Sequence, residues 1–136
     1  MQQTQAEQAS LRVLAVDDDP LMTDYLAILL QSWGHEVHLA QSGQQALQIS
    51  AEWELDVALV DLAMPRMDGF QLARRLHEQQ TWRPPVLIAL TGHNGESSRH
   101  CCSVAGFAHF LVKPLDVKVL NAILQSLAVE KVKRVL

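Results

Sequence analysis

Short apolar runs alternate with amphipathic segments of helical length along the chain, and this alternation constrains the fold more than any other sequence feature. Apolar residues within the longer segments recur every three or four positions, the spacing of a helix with one buried face. Strands that alternate with helices form a parallel sheet covered by helices on both faces. We therefore predict an α/β fold, a doubly wound parallel sheet with five helices, whose five strands are 12–16, 36–39, 56–60, 85–90 and 108–112.

The helical segments carry boundary signals of the expected kinds. Pro20 is tolerated in a first helical turn, and Gly34 is a typical stop signal. Asp116 is predicted to cap the last helix, and Ser97 or Ser98 the fourth. The predicted helices cover 20–33, 44–51, 70–76, about 97–105 and 117–127.

Length and charge limit the function classes that the chain can serve. Its 136 residues fit one domain, which we expect to span 11–128, with 1–10 a flexible tail and 129–136 an extension of the last helix. A net charge of −4 argues against direct nucleic-acid binding. No apolar run approaches the roughly 20 residues of a membrane span. Cys101 and Cys102 are expected to be free thiols, which suits the cytoplasm.

Chemically distinctive side chains follow four of the five predicted strands. Carboxyl ends of parallel strands meet at one edge of a sheet, where ligands bind such folds. Neighbouring carboxylates repel one another, and Mg²⁺ would relieve the repulsion while sharing a phosphate oxygen. A lysine and a threonine there could hold a phosphoryl group. The residues are Asp17, Asp18 and Asp19 after the first strand, Asp61 after the third, Thr91 after the fourth and Lys113 after the fifth.

Each of these residues alone also has an ordinary structural explanation. A single aspartate after a strand is most often a turn former or a helix cap, and Asp19, next to Pro20, is interpreted so. The six histidines are scattered without ligand spacing. The tryptophans at 33, 53 and 82 are interpreted as packing residues. The coincidence of several residue types at one sheet edge is what favours a phosphoryl site.

Four motifs together resemble the receiver domain of two-component response regulators. They are VLAVDDDP at 13–20, ALVDLAMPRMDG at 58–69, LIALTG at 87–92 and FLVKPL at 110–115. The resemblance covers about 11–128 and implies a flavodoxin-like strand order, 2-1-3-4-5. GFAHFLVKPL at 106–115 is most similar to receivers attached to hybrid sensor kinases.

The resemblance implies a role for each site residue. Asp61 matches the phosphoacceptor. Asp17 and Asp18 match the acidic pair that holds Mg²⁺ together with Asp61, with Asp18 the more direct ligand. The backbone carbonyl of Ala63 matches a further metal ligand. Ala63 carries no polar side chain to orient an attacking water, and His93 could either do so or block it.

The resemblance also assigns the phosphoryl contacts and a conformational switch. Thr91 and Lys113 match the groups that bind the phosphoryl oxygens. Phe110 matches the aromatic residue that changes rotamer on activation, turning inward when Thr91 is drawn to the phosphoryl group. Two states of one surface then become available to a partner.

The implied partners are a histidine kinase or a histidine phosphotransfer protein, which donates the phosphoryl group, and an unidentified downstream protein. The domain is expected to be a monomer or a phosphorylation-linked dimer, either free-standing or part of a longer protein, and to assist its own phosphotransfer rather than to act as an enzyme. One alternative is a phosphate sink or scaffold without conformational output. Another is a phosphatase with an aspartate nucleophile. Ala63 argues against this alternative, because haloacid-dehalogenase-type enzymes have a second acid at that position.

Overall fold

The computed structural model describes residues 10–79, 83–92 and 96–135, the side chains of 96–98 and 135 excepted. Strands and helices alternate without exception along this part of the chain. The strands are β1 (Arg12–Val16), β2 (Glu36–Ala40), β3 (Val57–Asp61), β4 (Val86–Thr91) and β5 (Phe107–Val112). The helices are α1 (Pro20–Ser32), α2 (Gly43–Glu52), α3 (Gly69–Gln79), α4 (Glu96–Ala105) and α5 (Val117–Val135).

The five strands form one parallel sheet in the order β2-β1-β3-β4-β5. Successive side chains of a strand point to opposite faces, and β1 and β3 are apolar on both. Leu14 and Val60 pack into a core shared with α2 and α3, whereas Val13 and Leu59 pack into a second core shared with α1 and α5. The predicted α/β fold and strand order are confirmed.

Several predicted boundaries move by a residue or more. Asp61 belongs to β3 itself, and β5 begins at Phe107. The prediction that Ser97 or Ser98 caps the fourth helix is wrong, because α4 already includes Glu96. The other predicted caps are confirmed, since the Asp116 carboxylate accepts from the amides of residues 118 and 119 at 3.0 and 3.4 Å, and Asp19 from that of residue 21 at 3.0 Å.

The carboxyl-terminal half of α5 contacts the amino-terminal edge of the sheet. Lys131 Nζ donates to Asp56 Oδ2 at 2.9 Å and to the backbone oxygen of Ser10 at 2.8 Å. Its position near the end of the last helix would suggest that Lys131 stays solvated or only complements the helix end, but it pairs instead with a carboxylate that is only 7% exposed. Lys133 and Arg134 are exposed in the last turn.

The predictions for the cysteines and for two of the three tryptophans agree with the structure. Cys102 is buried and Cys101 is exposed, both as free thiols. Trp33 and Trp53 pack against the two cores, whereas Trp82 lies outside the described residues. Among the described residues, the helices are all too short or too polar to cross a membrane.

Candidate phosphoryl-transfer site

The strand register brings the predicted site residues to one edge of the sheet. Asp17 directly follows β1, and its amide donates to the carbonyl of Ala40 at 3.1 Å. Asp61 and Thr91 are the last residues of β3 and β4. Lys113 follows β5, and its amide donates to the carbonyl of Thr91 at 2.7 Å. The loops therefore leave the sheet side by side.

Three carboxylates form the acidic cluster at this edge. Asp17, Asp18 and Asp61 each place an oxygen within 4.8 Å of the others. Asp17 and Asp61 are only 1% and 5% exposed, whereas Asp18 is open to solvent. Hard oxygen donors, one of them beside solvent, suit a cation such as Mg²⁺ that retains part of its water shell.

Lys113 links the carboxylates of the acidic cluster. Its Nζ lies 2.8 Å from Asp17 Oδ2 and 3.6 Å from Asp61 Oδ1. Burial opposes its charge, but the hydrogen bond to Asp17 and the charges of Asp17 and Asp61 outweigh that effect and raise the pKa of the Lys113 ammonium. Lys113 therefore pairs with carboxylates of two different strand ends.

The ionised form of Asp61 is disfavoured by its surroundings in the acidic cluster. Burial and the charge of Asp17 raise its pKa to about 6, against the opposing effects of Lys113 and of the Ala63 amide. That amide donates to Asp61 Oδ1 at 3.3 Å. A carboxylate so disfavoured in its ionised form gains from any cation that binds beside it.

Gly69 packs directly against the backbone at the end of β3, a close approach that sequence reasoning missed. A Cβ at this position would lie 2.7 Å from the carbonyl oxygen of Asp61 and 2.7 Å from the Cα of Leu62. Both are backbone atoms, which cannot move aside cheaply. The clue in the sequence is the glycine that ends MPRMDG.

The predicted switch residues occupy adjacent strands. Thr91 is buried at the end of β4, and Phe110 lies half-buried on β5, packed against the core beneath α3 and α4. The guanidinium of Arg99, which sequence reasoning missed, lies 5.0 Å from the centre of the Phe110 ring. His93, the residue predicted to affect the attacking water, lies outside the described residues.

A family comparison agrees with this geometry. Residues 13–125 match the response regulator receiver domain. The chain belongs to this family. The receiver is 38% identical over 119 residues to an uncharacterised 14.6 kDa protein of Leptolyngbya boryana, covering 87% of the chain and 90% of that protein. The sequence-based recognition as a receiver of two-component signalling is thereby confirmed.

Two further relatives are parts of histidine kinases. The receiver is 30% identical over 121 residues to the signal transduction histidine-protein kinase BarA of Shigella flexneri, covering 89% of the chain but only 13% of BarA. The solved receiver of sensor histidine kinase PA1611 from Pseudomonas aeruginosa, which holds a magnesium ion in its active-site cleft, is 31% identical, with a TM-score of 0.78 and coverage of 88% of this chain and 98% of that one.

Proposed function

We propose that this receiver takes a phosphoryl group from a phosphohistidine onto the carboxylate of Asp61 in the presence of Mg²⁺. The observation that carries the proposal is the position of Asp61, buried at the sheet edge with two further carboxylates within 4.8 Å and a lysine ammonium 3.6 Å away. In the transfer, an Asp61 oxygen forms a bond to phosphorus, the P–N bond breaks, and the imidazole nitrogen leaves with the electron pair and takes up a proton.

The remaining site residues are proposed to stabilise the transferring group. Asp17, Asp18 and Asp61, with the carbonyl of Ala63, would hold Mg²⁺, which supplies positive charge to the phosphoryl oxygens. The Lys113 ammonium, now bonded to Asp17, neutralises charge beside Asp61. Thr91 is proposed to donate to a phosphoryl oxygen. Positioning and charge neutralisation supply most of the catalysis in phosphoryl transfer.

The output is proposed to be a rearrangement of Thr91 and Phe110 that a downstream protein detects. Support comes from the position of Phe110, which is half-buried between the core and the Arg99 guanidinium. From there its ring could turn either into the core or toward solvent. The donor would be a histidine kinase or a histidine phosphotransfer protein. The domain would act in the cytoplasm, where free thiols such as Cys101 persist, as a monomer or a phosphorylation-linked dimer.

Labelling by a small phosphodonor tests the assignment of Asp61. Phosphoramidate carries the P–N bond of a phosphohistidine, so the wild-type protein should gain one phosphoryl group in Mg²⁺ and none in EDTA, measured by intact-protein mass spectrometry. Asp61→Asn should abolish labelling, because an amide oxygen is a far weaker nucleophile.

Asp56→Asn is the matched control, because the Asp56 side chain is as buried as that of Asp61, each 7% exposed, but lies outside the acidic cluster. It should retain labelling wherever it remains folded. Undiminished labelling of Asp61→Asn would refute the role of Asp61.

The sink or scaffold alternative differs only in output. Beryllofluoride, a phosphoryl mimic, should change hydrogen exchange in β4, α4 and β5 if Thr91 and Phe110 rearrange, and should leave these elements unchanged in a pure sink. Turnover of a panel of phosphomonoesters would instead favour the phosphatase alternative, which the apolar side chain of Ala63 argues against.

A further inference from the structure

A cleft between α2 and α3 lies outside the phosphoryl-transfer site. Two adjoining cavities of about 440 and 480 Å³ share Arg66, Met67 and Arg75 as lining residues. Leu47 lines the first cavity and Arg74 the second. We call this surface the basic cleft. Its volume is in the range of sites that bind ligands rather than single ions.

Positive charge is concentrated in the basic cleft. Arg66, Arg74 and Arg75 are all exposed, and none takes part in the ion pairs found among the described residues. They outnumber Glu78, the one carboxylate among the lining residues. The whole chain carries a net charge of −4, so this local excess contrasts with the rest of the surface. Guanidinium groups bind carboxylates through two parallel hydrogen bonds. Charge complementarity therefore favours an acidic occupant.

The backbone of Arg66 gives an independent indication. Its φ is +69°, in the left-handed region. This conformation is sterically unfavourable for a residue other than glycine. Glycine or asparagine would suit the turn better, yet the position holds an arginine whose side chain lines the cleft. Strain kept at a ligand-lining position points to a use for that side chain.

The dimensions of the basic cleft indicate the kind of occupant. Along α3, from Gln71 to Glu78, a helical rise of 1.5 Å per residue gives a length of roughly 10 Å. An extended peptide spans that distance with about three residues. Met67 and Leu47 are half-buried and provide an apolar contact surface between the arginines. We propose that the basic cleft binds a short acidic segment of a partner protein, with one apolar side chain flanked by aspartates or glutamates.

Fluorescence anisotropy with a defined peptide tests this proposal. The full-length protein is titrated into fluorescein-labelled EELEE and, separately, QQLQQ. EDTA is present and a phosphodonor is absent, so the result does not depend on Asp61 chemistry. EELEE should bind at least tenfold more tightly than QQLQQ, and Arg75→Glu should weaken EELEE binding at least tenfold. Arg134→Glu, the same charge change at an exposed position of α5, should leave binding nearly unchanged.

The Arg66→Gly variant distinguishes a loss of binding through lost charge from a loss of binding through unfolding. It removes the guanidinium and relieves the left-handed backbone, so EELEE binding should fall severalfold while the melting temperature stays level or rises. Equal binding of the two peptides would overturn the proposal, as would equal losses in Arg75→Glu and Arg134→Glu. Competition by ADP or inorganic phosphate at the concentration of EELEE would also overturn it, because the cleft would then be a general anion site.

Discussion

Replacing Asp61 by asparagine should make the metal-free protein more stable. Burial and Asp17 raise the pKa of Asp61 from an ordinary value of 3.8 to about 6, so its ionisation at pH 7 opposes folding. Each pKa unit corresponds to about 1.4 kcal/mol, which sets an upper limit of roughly 3 kcal/mol. The amide still accepts from the Ala63 N–H, and Lys113 keeps Asp17 at 2.8 Å. We therefore expect Asp61→Asn to raise the free energy of unfolding by about 1–3 kcal/mol.

The dependence on pH gives this prediction a definite sign. Below about pH 3 the carboxyl of Asp61 is protonated in both the folded and the unfolded chain, so wild type and variant should be equally stable, and at pH 4 they should still differ little. Between about pH 4 and 6 the unfolded carboxyl ionises first, and wild type loses stability relative to the variant. Above about pH 7 the difference is constant. At about 4 °C per kcal/mol, the melting temperature should differ by roughly 4–12 °C there.

Urea denaturation monitored by circular dichroism, in EDTA at pH 4 and pH 7, measures the difference. Asp56→Asn is the matched control, since its side chain is also 7% exposed but accepts from Lys131 at 2.9 Å. That variant should be destabilised. Mg²⁺ should stabilise wild type more than Asp61→Asn and so reduce the difference in their free energies of unfolding. A loss of stability in Asp61→Asn at pH 7 would refute the electrostatic account of the site.

Three further predictions follow from other contacts. Gly69→Ala should destabilise the fold by about 1–3 kcal/mol, because its Cβ would meet backbone, whereas Gly92→Ala, with nothing within 4 Å, should be nearly neutral in thermal melts. Lys131→Met should lower the free energy of unfolding by about 1–3 kcal/mol, because the buried Asp56 carboxylate loses its nearer cation and keeps Arg83 only at 3.7 Å, whereas exposed Lys133→Met should not. Labelling by phosphoramidate should decline on acidification with a midpoint at or below about pH 6 that falls as Mg²⁺ rises, because only ionised Asp61 attacks; a midpoint independent of Mg²⁺ would contradict a shared site.

Local patterns account for most of what could be predicted about the fold. Apolar periodicity located every strand and helix, because a parallel sheet covered on both faces requires nearly continuous apolar strands such as 57–60. Boundaries were less predictable, since the end of a helix depends on its cap. Strand order came from family resemblance, because periodicity contains no information on which strands are neighbours.

The candidate site was predictable to the level of residue types at the sheet edge. Parallel topology requires that residues following the strands meet there. The partner of Lys113 was not predictable, because the choice between Asp17 and Asp61 depends on distances of 2.8 and 3.6 Å set by loop packing. The same holds for the steric role of Gly69.

The sequence by itself determined the α/β class, the strand positions and the acidic, hydroxyl and amine groups of the candidate site, because these depend on periodicity and on the edge where parallel strands end. Tertiary structure alone decided which distant groups meet. Lys131 reaches Asp56 across 75 positions of sequence, and Arg66, in the loop after β3, joins Arg74 and Arg75 of α3 in the basic cleft. Such contacts arise from the packing of whole elements, and a local pattern of residues does not encode that packing.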